Sequence, residues 1–407
     1  IVDIEREFLN TNGVRQETSA TIDDKRTTFF DRKLKSFKSG LTLALSDLNV
    51  CSKKGLSETF DSTIGARTVY MPFGGKNQLT PSLAIGALVA PTDDCKIASV
   101  ASWGYSPYLM ESSPFVGAIY SIVCSVSKLV ASGVELDKIY LTLQEYFMKL
   151  GNSAERWGVP VSALLGAFYT ELSLGLGAIG GKDSMSGSFE NIDVPPTLIS
   201  FALGTQNVDK LITNVLKTKG EKLYLLPFKK DRYVVPNFDR VKNVYAVVSE
   251  KIASGEIKFA TVVENGGVGA AVVKSCLGNG LGFDFKYGDL FSERYGEIII
   301  ATDDAESLGT EAVYIGETTE KDFTSGGQIL SVEEATEAYV GKLNPIFPTK
   351  TDEKGEVKNV SYVSSKKKTS TIKVAKPRVF IPAFPGTNCE YDTARAFEKA
   401  GAEPEVL

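Results

Sequence analysis

Four hundred and seven residues suffice for two or three domains at ~150 residues each, with several full hydrophobic cores. A composition of 43% hydrophobic and 23% charged residues excludes wholesale disorder. A formal net charge of −5 gives no reason to expect nucleic acid or an acidic membrane as partner. The longest apolar stretch, residues 115–132, is broken by serines and Lys128 and falls short of the ~20 apolar residues of a membrane span. The chain opens Ile1-Val2-Asp3-Ile4, with no signal-peptide pattern and no initiator Met, so it is expected to be an internal piece of a longer protein.

The five cysteines, Cys51, Cys95, Cys124, Cys276 and Cys389, are widely spaced and form no C-x-x-C pair. A disulfide framework or structural zinc site is therefore not expected, and a reducing cytoplasm fits. There is no histidine. This chain alone can build no Ser-His-Asp triad, Cys-His pair or His-ligated metal. Its chemistry falls to carboxylates, lysine, cysteine, backbone amides or a bound nucleotide, unless an imidazole comes from outside.

Residues 1–40 are polar and weakly periodic and read as a connector. Strands are predicted at 68–73, 84–90 and 97–103, and a helix over 115–132 closed by Gly133. A strand at 138–143 and a helix over 161–176 lead to 178–179, a Gly-rich loop and a strand at 198–203. From 206 to 345 strands are predicted at 222–227, 258–263, 297–302 and 312–315, with helices over 241–254 and 268–276. This is α+β character, lacking the strict beat of a doubly wound sheet. Residues 346–376, rich in Lys, Ser and Thr and including Lys366-Lys367-Lys368, read as a solvated linker. A strand at 378–384, a helix over 392–400 and a strand from 404 then read as the opening β-α-β of a Rossmann-like domain.

Four motifs carry candidate chemistry. In Gly180-Gly181-Lys182-Asp183-Ser184-Met185-Ser186-Gly187, glycines expose backbone N–H groups, Lys182 supplies charge and the hydroxyls donate bonds. A phosphate cradle and an ordinary polar turn both fit; Asp183 could orient Lys182 or hold magnesium. Phe73-Gly74-Gly75-Lys76 repeats Gly-Gly-Lys, but a hairpin turn is the better reading. On the helix over 115–132, Ser121, Ser125, Lys128 and Ser132 share one face, which points to a ligand cavity or to solvent. Glu264-Asn265-Gly266-Gly267 opens a small-residue helix whose glycines suit tight helix–sheet packing better than anion capture. Cys389, with no histidine beside it, reads as a half-buried structural thiol.

Several strings occur in an order that resembles a known family: Phe60-Asp61-Ser62-Thr63-Ile64-Gly65, Pro72-Phe73-Gly74-Gly75-Lys76, Gln144-Glu145-Tyr146-Phe147, Gly180–Gly187, Val194-Pro195-Pro196-Thr197 and Phe384-Pro385-Gly386-Thr387-Asn388-Cys389-Glu390. The family is phosphoribosylformylglycinamidine synthase in its long, single-chain form, and the resemblance covers residues 41–407. It implies an ATP-dependent carbon–nitrogen ligase. The reaction converts formylglycinamide ribonucleotide, glutamine and ATP to formylglycinamidine ribonucleotide, glutamate, ADP and phosphate in de novo purine synthesis. It also implies an aminoimidazole-ribonucleotide-synthetase-like fold. Residues 41–205 would be the second N-terminal-type domain, 206–345 its C-terminal partner, 346–376 a linker and 377–407 the start of a glutaminase domain. The paired N-terminal domains of the family form a central barrel with nucleotide sites at their interface.

By this resemblance the nucleotide, phosphate or substrate contacts fall to Gly180, Gly181, Lys182, Asp183, Ser184 and Ser186, with Arg67, Gly75, Lys76 and Lys128. Gly386, Thr387 and Asn388 form the glutaminase-domain loop. The partners are a first synthase half and the remainder of the glutaminase, and the cofactors ATP or ADP with Mg²⁺. Some relatives bind a second, non-catalytic nucleotide through magnesium held by a helix carboxylate and Asn and by an acid before Gly-Gly. Here those helix places hold Cys124 and Lys128, and Glu264-Asn265 precede Gly266-Gly267. Lys128 is thereby expected to meet phosphate in place of the metal. No catalytic residue is assigned to this stretch, and taken alone it is expected to be inactive. The alternatives are a purely structural half that only completes the barrel, or another ATP-dependent synthetase of the superfamily.

Overall fold

The computed structural model describes residues 3–6, 8, 17–22, 36–90, 92, 94–292, 294–350, 355, 359–365, 371 and 373–407. Most of the expected connector and the run Lys366-Lys367-Lys368 lie outside them. The chain forms two compact units, Ile1–Thr351 and Asp352–Leu407.

In the first unit helix α1 (Phe37–Leu45) is capped by the Ser36 hydroxyl, which accepts from Ser39 N–H. A short helix α2 (Lys54–Ser57) and a hairpin of β1 (Phe73–Gly74) and β2 (Thr80–Pro81) follow. A strand was expected over 68–73. Instead Thr68 makes one isolated bridge to Ala87, and Val69 and Tyr70 N–H both converge on the Gly86 carbonyl. Pro72 has no N–H with which to extend a ladder.

A five-stranded sheet comes next: β3 (Ile85–Leu88), β4 (Ile97–Gly104), β5 (Tyr140–Tyr146), β6 (Ala178–Lys182) and, past the hairpin β7 (Ser188–Phe189) and β8 (Ile192–Asp193), β9 (Thr197–Asn207). Its order is β3-β4-β9-β5-β6, antiparallel except for the β5–β6 pair. One face is covered by α3 (Pro107–Ser112), α4 (Pro114–Ala131) and α5 (Ala154–Leu174). Helix α4 starts where Ser113 caps Val116 N–H and Pro114 presets the first turn. It is apolar and long enough to cross a membrane by length and composition alone, but residues 116–131 are all buried and it is the core helix of this layer. Helix α5 starts earlier than periodicity suggests and runs through Pro160, which gives up one helical N–H bond.

The second sheet has order β11-β13-β10-β14-β12-β15-β16, with β12–β15 its one parallel pair. Its strands are β10 (Lys222–Leu226), β11 (Ala260–Val262), β12 (Gly282–Phe285), β13 (Ile298–Ala301), β14 (Val313–Thr319), β15 (Phe323–Ser325) and β16 (Gln328–Leu330). Helices α6 (Phe238–Ala253), α7 (Gly267–Leu277) and α8 (Val332–Val340) pack around it. Helix α1 straddles residue 41 and buries Phe37, Leu41 and Leu45 in the same core as α7 and α8. The second unit pairs β17 (Arg378–Ile381) in parallel with β18 (Glu403–Val406) across helix α9 (Glu390–Lys399), the expected strand–helix–strand.

Candidate functional site

A cavity of about 700 Å³ opens inside the first unit. Its wall comes from the turn after α1, the loop 61–73, the edge of β3 and β4, the last turn of α4 and the loop and helix around α7. Its charged side chains are Lys53, Asp61, Lys128, Glu264 and Lys274. The volume lies in the range of small-ligand sites, roughly 300–1,000 Å³.

Lys128 is deep in the wall because α4 packs closely on β4. A Cβ on Gly104 would sit 2.1 Å from Ser121 O and 2.7 Å from Ser125 N, so only glycine permits the approach. The serine stripe of α4 is buried by that contact: Ser125 shares a 2.9 Å bond with Ser200, and Ser121 and Ser132 donate back to Gly117 and Lys128 carbonyls. The solvent-edge reading of this face is therefore excluded, and of the four residues only Lys128 lines the cavity. The Lys128 ammonium donates to Trp103 O at 2.9 Å, lies 4.3 Å from the Trp103 ring centre and pairs with Glu264 at 2.7 Å. The phosphate contact expected of Lys128 is thus taken by an internal carboxylate.

Glu264 and Asn265 are placed by the turn into α7. Gly266 and Gly267 have φ of 89° and 71°, and a Cβ on Gly267 would come within 2.5 Å of Leu290 O. Tight packing, the favoured reading of this motif, accounts for both glycines, and Gly269 N–H is taken by Leu290 O. Asn265 Oδ1 accepts from the Tyr295 hydroxyl at 2.6 Å.

Two wall lysines were not singled out from the sequence. Lys53 donates to the carbonyls of Leu48 and Cys51. Lys274 lies on α7, half-buried, and no described residue hydrogen-bonds its ammonium. Desolvation holds its pKa below the ordinary lysine value; Glu264 works against this, and Lys128 and Lys53 add to it. A lone lysine in Ala270-Ala271-Val272-Val273-Lys274-Ser275 is the same signal that marked Lys128, a cation on an apolar helix.

The other candidates are placed elsewhere. Gly180, Gly181 and Lys182 form the exposed edge strand β6 rather than a loop, because parallel pairing with β5 holds the glycines extended. Ser184 N–H is bonded to Glu145 O, and Ser184 O accepts from Phe147 N–H. Lys182 covers the Tyr146 ring at 4.8 Å. None of 180–186, Asp183 and Ser186 included, lines the 700 Å³ cavity. Gly75 and Lys76 sit in the β1–β2 hairpin against the end of α7, where Lys76 N–H is taken by Asn279 Oδ1 at 2.9 Å. Arg67 is exposed, next to the cavity residue Thr68. In the second unit Gly386, Thr387 and Asn388 form a turn in which Thr387 Oγ1 accepts from Phe384 N–H. Cys389, expected to be half-buried, is exposed at the start of α9 with φ 66°.

The cavity does not fit magnesium. Mg²⁺ takes near-octahedral oxygen ligands at 2.0–2.1 Å, usually with one or two carboxylates. Among the described residues no three acidic, Cys or His side chains gather as a metal would need. Glu264 is already neutralised by Lys128, and Asp61 Oδ1 is taken by Thr63 N–H and hydroxyl.

No family model matches the chain. The phosphoribosylformylglycinamidine synthase subunit PurL of Methanococcus aeolicus is 25% identical over 342 residues, which cover 74% of this chain and 44% of that subunit. The PurL subunit of Picrophilus torridus is 26% identical over 283 residues, 63% of this chain and 37% of its own. Phosphoribosylformylglycinamidine synthase II of Thermotoga maritima superposes with TM-score 0.54 at 13% identity, covering 80% of this chain and 55% of that one. The PurLQS structure from the same organism gives TM-score 0.53 at 14% identity, covering 75% and 45%. Thermotoga maritima PurL also superposes in its complexes with ATP and with ADP. The chain spans less than half the length of these curated relatives. In sequence the chain is similar to part of the phosphoribosylformylglycinamidine synthase subunits, and in fold to the Thermotoga maritima synthase.

Proposed function

We propose that this chain is the second synthase half of a phosphoribosylformylglycinamidine synthase, followed by the opening of its glutaminase domain. The complete ligase works in a reducing cytoplasm, where ATP activates the amide oxygen of formylglycinamide ribonucleotide and ammonia from glutamine displaces phosphate. In this half the cavity beside Lys128 and Lys274 takes a phosphorylated ligand, ADP or ATP. The observation that carries the reading is the 700 Å³ cavity with three lysines and two carboxylates in its wall. In a partly desolvated site such an excess of ammonium favours an anion.

Two measurements test it. Titration calorimetry of ADP into the whole chain is expected to give saturable heat; no heat would remove the nucleotide reading. Synthase assays supplied with ammonium are expected to show no product from the chain alone and product on co-expression with a histidine-containing first half. Product from the chain alone would overturn the assignment.

One observation favours the structural-half reading beside it. Strand register puts Ile85, Ile97, Trp103, Phe201, Tyr140 and Lys182 on the face of the five-stranded sheet away from α4. Ile85, Ile97, Trp103 and Tyr140 are exposed there. An open apolar sheet face with an unpaired edge strand suits barrel closure against a similar half. Gly180, Gly181 and Lys182, which belong to that edge strand, then serve the interface, and Lys182 would meet ligand or partner there.

A further inference from the structure

Every charged side chain in the cavity wall but one has a hydrogen-bond or ion-pair partner among the described residues. Lys53 is held by two carbonyls, Lys128 by Glu264 and Trp103 O, and Asp61 by Thr63. Lys274 is the exception: none of the described residues accepts a hydrogen bond from its ammonium. A half-buried ammonium that lines a cavity without a protein partner is a ready binding group, and an anion bound there gains a charge-assisted contact. Glu264 would repel that anion, but Lys128 lies against it at 2.7 Å and cancels its field. A divalent cation entering here would meet three ammonium groups, with Glu264 already paired to Lys128 and Asp61 the wall's single carboxylate without an ion pair among the described residues.

We infer that the cavity binds its phosphorylated ligand without a divalent cation: Lys274 meets the phosphate, and the Lys128–Glu264 pair stands where a metal and its carboxylate would otherwise be needed. The inference rests on the reading that this cavity takes a phosphorylated ligand. Lys274 is a binding residue in this scheme, and Lys128 a positioning residue that keeps Glu264 from repelling the ligand. The ammonium–phosphate contact is charge-assisted and formed out of bulk water, where such bonds are strongest.

The test is titration of ADP, and separately of inorganic pyrophosphate, into the whole chain in excess EDTA and in excess MgCl₂. The expected result is binding in EDTA within ~3-fold of that in magnesium, with a ~10-fold loss in Lys274→Met and near-full retention in Lys274→Arg. Removing an unpartnered ammonium should leave the fold intact, and circular dichroism and Tm confirm this before titration. Binding seen only with magnesium would overturn the inference and leave the nucleotide reading standing. Binding absent under both conditions would remove the nucleotide reading and this inference with it. Undiminished binding by folded Lys274→Met would overturn the role of Lys274.

Discussion

The Lys128 ammonium and the Glu264 carboxylate meet at 2.7 Å, with side chains 5% and 21% exposed. The same ammonium reaches Trp103, so one group ties the end of β4, the last turn of α4 and the loop before α7 together. The pair thus joins the two sheet layers and shapes the cavity wall.

Breaking the pair from one side should be costly. Lys128→Met leaves Glu264 without its partner, and the expected loss is ~1–3 kcal/mol, less than for a fully enclosed charge because Glu264 reaches the cavity. The double variant Lys128→Met/Glu264→Leu should recover most of it. A denaturant double-mutant cycle reads the coupling; additive single losses would show that the pair does no stabilising work.

Affinity for ADP should fall on the alkaline side. Lys274 is held below the ordinary lysine value by burial. Its charge is present near neutral pH and is lost as pH rises through that lowered value, before an exposed lysine would titrate. Lys53, Asp61, Lys128 and Glu264 are the other charged groups around it. Burial pushes the Tyr70, Tyr105 and Tyr339 phenols up, so they stay neutral in that window. Titrations between neutral pH and pH 10 should show the decline in the parent chain and a flatter profile in Lys274→Met.

Gly104→Ala should destabilise the chain through overpacking alone, since its Cβ would meet backbone atoms of α4 at 2.1 and 2.7 Å. A cost of ~1–3 kcal/mol and a Tm lower by several degrees are expected. Gly177→Ala, with open space around it, is the control and should change little.

Thiol reactivity should follow burial. Cys389 is exposed and Cys95 partly so, whereas Cys51, Cys124 and Cys276 are buried. Burial also pushes the Cys124 and Cys276 thiols up, away from the reactive thiolate. A chromogenic disulfide reagent should label Cys389 first and Cys95 next, and the rest only in denaturant. Loss of the fast phase in Cys389→Ser checks the order.

Most α and β elements were legible as alternating or helical apolar runs with glycine and proline punctuation, down to the β17-α9-β18 unit. The misreadings share one cause. Gly180-Gly181 looks like a loop locally, but β5 offers a row of backbone partners and draws it into the sheet. Residues 68–73 look like a strand, but no neighbouring strand accepts more than one bridge. The helix expected over 161–176 starts seven residues earlier, at Ala154, because packing of α5 on α4 outweighs the one bond lost at Pro160.

Composition and motif order alone determined that no imidazole chemistry resides in this chain, and they carried the family resemblance. Which charges meet was decided only by the tertiary structure. Lys128 and Glu264 are 136 positions apart, and the periodicity of α4 cannot say whether its serine face meets water, ligand or the back of a sheet. Closure of β4 on α4 at Gly104 and the turn at Gly266-Gly267 settle that question. They bury the serines, aim one carboxylate at one lysine, and leave Lys274 as the cation that faces open space in the cavity.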